Sequence, residues 1–303
     1  MPPAAGRAAR RFKATMEASA PGQLEYEIMT LSEYSERYQG GKTVTKHDLL
    51  DLMEAGEIEM SQMYTSTLGR KHNQDMWALD LPFLFRDHDH AAKVLEGEIG
   101  QKLMDDMSSK TNIKGLAFTY SGGYRMIPAQ VALRTIESFE GKRIRCNKSP
   151  IAAETMIAVN AVPVQIELEQ INEAVDAGEI DGGESTYPRY YGLKQNEHCN
   201  IINDAEHSLF LTSIIVQKQF WEQIPDELKA KIEVAALDAA QAERKESIED
   251  IDTVKARAAE DSIEVITMSP EERARFKEAT AYIAPKFAGM FSDGLVAAIS
   301  STA

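Results

Sequence analysis

Hydrophobic and polar residues in the middle of the chain alternate between the period of a strand and that of a helix. Arg143–Cys146 has the pattern of a short strand, and Ser149-Pro150 then supplies a hydroxyl cap and a proline for the first helical turn. We expect this helix to end near Asn160, because Pro163 cannot continue it. A second helix at 167–177 leads to another strand. The pattern predicts strand, helix, strand, helix, strand, which is typical of α/β proteins.

The same run of elements occurs once in each half of the chain. A helix, an Ala-Gly-Glu-Ile-acid stop and a strand recur, with the stop at 55–59 and again at 177–181. Two copies are too few for a solenoid and fit two similar lobes that face one another. Tyr64 and Tyr187, which follow the two copies, would then lie on opposite sides of a cleft.

The remaining pattern completes the two lobes. Residues 6–16 are expected to form a helix and Gln23–Met29 a strand, while Ser208–Val216 is β-prone along its whole length. Gly122-Gly123 would form the joint where the chain first crosses between lobes. A helix from Asp226 to about residue 261 would reach along both lobes. We therefore expect two lobes with the ligand cleft between them, lobe I at 1–122 plus 211–250 and lobe II at 123–210 plus 251–303.

Composition and charge narrow the classes of function. The chain has 303 residues, is 43% hydrophobic and carries a formal net charge of −15. Binding of nucleic acid or of an anionic membrane surface needs basic patches, so neither partner is expected. No apolar run is long enough to span a bilayer, and Met1–Arg7 lacks the apolar core of a secretory signal. Taken literally, the start of the sequence indicates a cytoplasmic protein.

Neither cysteines nor histidines are spaced as metal ligands. For Cys146 and Cys199 we expect two free buried thiols, with a disulfide in an oxidising compartment as the alternative. Acids and histidines alternate in Asp87–His90, but histidines two positions apart do not share a helix face. We expect Asp87 to cap a helix that runs to about Ser108, and we expect no metal and no cofactor.

Motifs spread over the chain resemble one family. Gly141–Arg145, Ser149-Pro150, Ala161–Val164 and Asp181–Glu184 are similar to the signature of the extracytoplasmic solute-binding proteins of tripartite ATP-independent periplasmic (TRAP) transporters, the DctP family. Further matches keep the same order and lie at Leu79–Phe85, Gly123–Arg125, Phe220-Trp221 and Ile224-Pro225.

The resemblance implies a two-lobed α/β fold like that of periplasmic binding proteins (a Venus flytrap), with a long helix spanning both lobes. It also implies a periplasmic location, although family members have a signal peptide and a further strand before the first helix, and this sequence shows neither. We interpret the difference as a truncated gene model, because losing a central strand would leave backbone groups unpaired. A divergent member without that strand is the alternative.

Arg145 is the main candidate for ligand binding. A guanidinium presents a planar fork of donors that matches a carboxylate, and the resemblance implies that Arg145 holds the ligand's carboxylate. Arg125 is the second candidate, with a salt bridge to a loop acid as the alternative. Ser185 stands where the family often has asparagine, so the hydrogen bonds at that wall would differ from those of other members.

Four further side chains are proposed as walls of the cleft, and each could instead be ordinary core or rim: Tyr64, Tyr187, His207 and Phe210.

The resemblance implies a protein that captures a small organic acid and delivers it to a membrane permease, and that is not an enzyme. The alternative is a cytoplasmic α/β enzyme acting on a carboxylate, or a ligand-sensing module. Against an enzyme, the sequence contains no Gly-x-Ser-x-Gly elbow, no Gly-x-Gly-x-x-Gly, no Walker loop and no His-Glu-x-x-His. The sequence leaves the acid and the oligomeric state open.

Overall fold

A computed structural model describes residues 6–303, and the strands in that range form two sheets. The strands are β1 (Met60–Tyr64), β2 (Ile113–Tyr124), β3 (Ile127–Ala129), β4 (Arg143–Cys146), β5 (Val162–Gln165), β6 (Gly182–Gly183), β7 (Ile201–Asp204), β8 (Leu209–Gln217) and β9 (Glu264–Thr267). The first sheet has the order β1-β8-β2, and the second has the order β5-β4-β6-β3-β7-β9.

Helices cover both sheets. They are α1 (Arg7–Ser19), α2 (Leu31–Tyr38), α3 (Lys46–Ala55), α4 (Thr65–Lys71), α5 (His88–Glu96), α6 (Glu98–Lys110), α7 (Pro150–Ala158), α8 (Ile171–Asp176), α9 (Tyr187–Gly192), α10 (Lys218–Gln223), α11 (Asp226–Glu260), α12 (Pro270–Thr280), α13 (Ile283–Phe287) and α14 (Leu295–Ser301). The mixed architecture with two sheets confirms the predicted two-lobed α/β fold.

The predicted strand–helix alternation in the middle of the chain is confirmed. β4 pairs in parallel with both β5 and β6, so the carboxyl ends of these strands meet at one edge of the second sheet. The hydroxyl of Ser149 accepts a hydrogen bond from the amide of Ile151 and caps α7, and Pro150 occupies the first helical position. This edge positions the side chain of Arg145.

The long helix α11 packs against both sheets. Its first half contributes Leu228, Ile232 and Ala239 to a core shared with α1 and β8, and its second half contributes Val254 and Ala258 to the core of the second sheet. With 35 residues it extends over roughly 50 Å. The predicted helix spanning both lobes is therefore confirmed, to within one residue at its end.

Two sequence-based expectations about the elements are wrong. Gln23–Met29 is not part of either sheet. The helix expected from Asp87 to Ser108 is two helices, which meet at Gly97, where the backbone is extended (φ −89°, ψ −169°). Asp87 does cap the first of them, as expected, since its side chain accepts a hydrogen bond from the amide of His90.

Gly122 and Gly123 lie within β2, which continues through them to Tyr124, and their role as a joint between the lobes stays a prediction. The register against β8 shifts between Tyr120 and Gly123, and both glycines have positive φ. The pair is therefore a β-bulge inside the strand, where only glycine adopts the backbone conformation without strain.

The end of the chain packs differently from the expectation for lobe II. Ile283, Phe291 and Ile299 belong to the same buried core as Leu50 and Leu211, next to the first sheet. The lobe boundaries as a whole stay a prediction.

Cys146 and Cys199 are both buried and free. Across residues 6–303, no helix is both long enough and apolar enough to cross a bilayer.

Candidate ligand-binding site

Arg145 is the third of the four residues of β4 and is 3% exposed. Its Nε donates to the carbonyl oxygen of Ile166 at 2.8 Å, and its Nη1 donates to the carbonyl oxygen of Glu184 at 3.1 Å. Within the described range, no carboxylate lies within salt-bridge distance of its guanidinium. Burial lowers the pKa of Arg145, and the charge of Glu184 opposes this only in part. The main chain thus orients a buried cation without neutralising it.

A cavity of about 30 Å³ opens beside this guanidinium. One side comes from α3, β1 and α4 near the first sheet, and the other comes from the ends of β4 and β5 in the second sheet. Its lining consists of Lys46, His47, Tyr64, Ser66, Thr67, Arg70, Arg145, Asn147, Lys148, Ile166, Glu167, Leu168 and Phe210. The cavity is therefore a cleft between the two lobes.

Aromatic rings form the wall on the side of the first sheet. Tyr64 and Phe210 stack with their ring centres 4.9 Å apart and nearly parallel. The Nζ of Lys46 lies 4.4 Å from the centre of the Tyr64 ring, and the guanidinium of Arg125 lies 4.2 Å from the centre of the Phe210 ring. The wall thus combines apolar faces with positive charge held against them.

A buried charge network lies behind this wall. Arg125 is 1% exposed, and its Nη2 donates to Asp80 at 3.3 Å while its Nη1 lies 3.8 Å from Glu184. Burial opposes the ionisation of Glu184, but Arg125 and His207 outweigh it and hold the pKa of this carboxyl below its usual value. Burial raises the pKa of Asp80, with Arg125 opposing. In this structure Arg125 therefore makes the ion pairs that were the alternative to ligand binding.

His207 and Ser185 belong to the same buried layer. The Nε2 of His207 lies 2.7 Å from Glu184, and its ring stacks on Phe276 with centres 5.6 Å apart. The main chain of Ser185 pairs with Met126, while its buried hydroxyl has no hydrogen-bond partner among the described residues. Neither side chain lines the cavity, but both lie one layer behind it.

Tyr187 does not line this cavity. Its hydroxyl donates to Asp204 at 2.8 Å, and Lys255 pairs with the same carboxylate at 2.7 Å. Burial, followed by the charge of Asp204, raises the pKa of this phenol. Of the seven predicted ligand-binding residues, Arg145, Tyr64 and Phe210 line the cleft, and any contact of the other four with a ligand stays a prediction.

Sequence reasoning missed the basic residues of the cleft. Lys46, Arg70 and Lys148 all line it. Lys46 pairs with Glu169 across the cleft at 2.9 Å, and Lys148 pairs with Glu167 at 2.7 Å. Basic residues near the ends of helices usually lie on solvated faces, so no local signal marked these three.

The fold and the cleft between its lobes define the class of two-lobed periplasmic binding proteins. The model of the bacterial extracellular solute-binding proteins, family 7 (DctP), matches residues 4–289. The chain belongs to this family of TRAP-type solute-binding proteins, which serve transporters and are not enzymes. The family assignment decides against the alternative of a cytoplasmic enzyme.

Individual relatives are distant but match over most of their length. A C4-dicarboxylate-binding periplasmic protein of Rhodobacter capsulatus is 25% identical over 299 residues, which cover 98% of this chain and 86% of the relative. A TRAP periplasmic solute-binding protein from Shewanella oneidensis, solved with bound succinate, has a TM-score of 0.87 at 23% identity and covers 99% of this chain and 94% of its own. Another TRAP periplasmic solute-binding protein, from a Bradyrhizobium species and in complex with galacturonate, has a TM-score of 0.86 at 24% identity. The match covers 99% of this chain and 96% of that protein.

Proposed function

We propose that this protein captures a small organic acid in the cleft between its lobes and delivers it to the membrane permease of a TRAP transporter. The observation that supports this most directly is Arg145, a buried cation in the cleft whose hydrogen bonds go only to main-chain carbonyls. A ligand carboxylate supplies both the missing negative charge and planar acceptors for the guanidinium.

Arg125 and Ser185 are proposed to complete the carboxylate site. Each has a buried donor, Nη1 of Arg125 and Oγ of Ser185, without a hydrogen-bond partner in the described range. A buried donor without a hydrogen bond costs free energy, which a ligand oxygen or a bridging water would recover. Tyr64 and Phe210 would form the wall, and His207 would act on the site by holding Glu184 in place.

Closure of the lobes is needed for useful affinity. One charge-assisted hydrogen bond contributes about 1.5–3 kcal/mol, whereas micromolar binding requires about 8 kcal/mol. The cavity in this structure is small, about 30 Å³, and we propose that the lobes move apart to admit an organic acid and then close over it. Closure excludes water and strengthens each polar contact.

Location and partner follow from the family rather than from the cleft. Relatives such as the Rhodobacter capsulatus protein are named as periplasmic. We propose that this protein likewise works outside the cytoplasmic membrane, and that its permease is driven by an ion gradient. For the lobes we propose the predicted boundaries, with residues from Ile283 onward moved to lobe I because they pack there.

Calorimetric titration with a panel of monocarboxylates, dicarboxylates and sugar acids tests the proposal. Wild-type protein should bind at least one acid, and Arg145→Lys should weaken that binding roughly 10- to 100-fold, because an ammonium lacks the planar fork and loses one charged hydrogen bond. Arg145→Ala should weaken it further.

The matched control is Arg134→Lys, at a surface ion pair with Glu264 in the second sheet. It should leave both affinity and melting temperature unchanged. Wild-type affinity in Arg145→Lys and Arg145→Ala, with normal circular dichroism, would show that this guanidinium does not hold the ligand.

A further inference from the structure

Among residues 6–303, His47 is the histidine whose side chain lines the ligand cleft. It is the second residue of α3 and is half-buried, and its ring makes no hydrogen bond or ion pair within the described range. The other five of the six histidines each have a partner at a ring nitrogen: Glu54 for His72, Tyr120 for His88, Ile299 for His90, Asp176 for His198 and Glu184 for His207. The ring nitrogens of His47 are therefore available to a ligand.

The charged groups around His47 do not include a carboxylate bonded to its ring. Those that act on it come from α4, the loops after β4 and β5, and its own helix: Arg70, Lys148, Glu167 and Asp48. Glu167 pairs with Lys148 at 2.7 Å, and Asp48 accepts from the main-chain amide of Thr45 at 2.8 Å. The other ionisable groups that line or border the cleft are Lys46 with its partner Glu169, Tyr64 and Arg145. Both carboxylates near His47 are thus engaged by other groups.

Before an acid binds, these surroundings favour the neutral ring. Burial lowers the pKa of His47 below its usual 6.5, Arg70 and Lys148 lower it further, and Glu167 and Asp48 oppose them. A neutral imidazole keeps one ring nitrogen that can accept a proton. The cations Arg70, Arg145 and Lys148, which line the same cavity, attract an anion towards it.

An acid bound in the cleft changes the charge that the ring experiences. A carboxylate held at Arg145 lies in the cavity that His47 also lines. An opposite charge within about 4–6 Å favours the charged imidazole, whereas the burial that a ligand adds disfavours it. The carboxylate also offsets the repulsion from Arg70 and Lys148, and it accepts a hydrogen bond from the imidazolium as a charged pair.

We propose that His47 is a further ligand-binding residue, which donates to the acidic group of the ligand as an imidazolium, so that capture of the acid is coupled to uptake of a proton. The proton comes from solution and binds the ring nitrogen that carries none in the neutral form. The ligand stays ionised, and no other bond forms or breaks. This inference rests on the proposed function and adds a residue to its site.

Calorimetric titration in two buffers of different ionisation enthalpy measures the proton directly. The probes are the acids of the panel described above, with butyrate, succinate and galacturonate representing its three classes. Near pH 6.5, wild-type protein should take up at least about 0.3 proton for each acid molecule bound, because the imidazole pKa rises on binding.

The affinity of wild-type protein should fall as the pH rises. The pKa of His47 is higher in the complex than in the free protein, so binding is tightest below the free-protein value and weakens as the pH passes the value of the complex. Affinity at pH 8 should be at least about 3-fold weaker than at pH 5.5.

Two substitutions at His47 separate the proton from the charge. His47→Gln should take up no proton, bind at least about 3-fold more weakly than wild type at pH 5.5, and approach wild-type affinity at pH 8. His47→Lys carries a fixed charge, so it should also take up no proton but keep its low-pH affinity at pH 8. Titration of the acid itself is common to all variants, and normal circular dichroism confirms that each is folded.

The matched control is His198→Gln, at a histidine that pairs with Asp176 away from the cleft. It should retain the proton uptake and the pH dependence of wild-type protein.

Two outcomes would overturn the inference alone. Wild-type protein would bind an acid in an Arg145-dependent manner without taking up a proton, or His47→Gln would take up as much proton as wild type. If no acid of the panel bound the wild-type protein, the proposed function would fall together with the inference.

Discussion

Glu243 on α11 is a buried carboxylate outside the ligand cleft. Its Oε2 accepts a hydrogen bond from Nε2 of Gln62 at 2.8 Å, and the same amide also lies within hydrogen-bond distance of Thr119 and Thr212. Burial raises the pKa of Glu243 to about 7, against the opposing hydrogen bonds from Gln62 and Thr119. The folded state therefore binds a proton at Glu243 more tightly than the unfolded chain does.

This pKa shift predicts that stability falls with rising pH. Because the folded-state pKa exceeds the unfolded value, the contribution of Glu243 is fully present below the unfolded pKa of 4.5 and is lost as pH rises through about 7. Glu243→Gln should therefore raise the free energy of unfolding at pH 8 by roughly 2–3 kcal/mol and have little effect near pH 4.5. Urea unfolding of both proteins at the two pH values measures this. Equal effects at both pH values would contradict the assigned shift.

In the first sheet, β8 is the central strand and pairs with β2. All nine residues of β8 are buried, and β2 pairs with it on both sides of the bulge at Gly122. A Cβ at Gly122 would lie 2.3 Å from Oγ1 of Thr186, whose hydroxyl donates to the carbonyl oxygen of Ser121 at 2.8 Å. The bulge thus connects the strand pair to Thr186, just before α9.

Gly122→Ala should destabilise the protein by about 2–4 kcal/mol. The cost combines a left-handed backbone at φ 96° with displacement of Thr186 and loss of its hydrogen bond. Gly192→Ala is the matched control, because nothing lies within 4 Å of a Cβ at that position and its φ is not positive. Thermal and urea unfolding compare the two variants. A Gly122→Ala protein as stable as Gly192→Ala would argue against a tight bulge.

The helix α11 connects the two lobes, because its residues contribute to the cores of both sheets. Both tryptophans of the chain, Trp77 and Trp221, pack with the first sheet and its helices. Ala258, near the far end of α11, is fully buried in the core of the second sheet. Tryptophan fluorescence therefore follows the first sheet, while a substitution at Ala258 perturbs the second.

Ala258→Leu should lower the free energy of unfolding by about 1–3 kcal/mol through overpacking. If α11 makes the two lobes unfold as one unit, the fluorescence transition of the first sheet should shift by as much as the circular dichroism transition of the whole chain. Val234→Leu, at a position 66% exposed on the same helix, should change stability by less than about 0.5 kcal/mol. Fluorescence unaffected by Ala258→Leu would mean that the lobes unfold independently.

Local sequence patterns determined much of the fold and singled out Arg145, which lines the cleft. The strand–helix alternation, the cap at Ser149 and the length of α11 depend on residues close together in the chain, so periodicity and capping predicted them. Arg145 was predicted because it stands at the carboxyl end of a strand within a family motif. The same local reasoning failed for Gln23–Met29, because a strand also needs a partner, which a propensity does not supply.

Only the tertiary structure decided which side chains share the cleft. Arg70 comes from the helix after β1 and Lys148 from the loop after β4, and their charges add because two distant segments face one another. Tyr187 was predicted to line the cleft, but its hydroxyl donates to Asp204 and its side chain does not line the cavity. Side-chain direction and the balance of charge in a cleft depend on packing between lobes, which no local pattern contains.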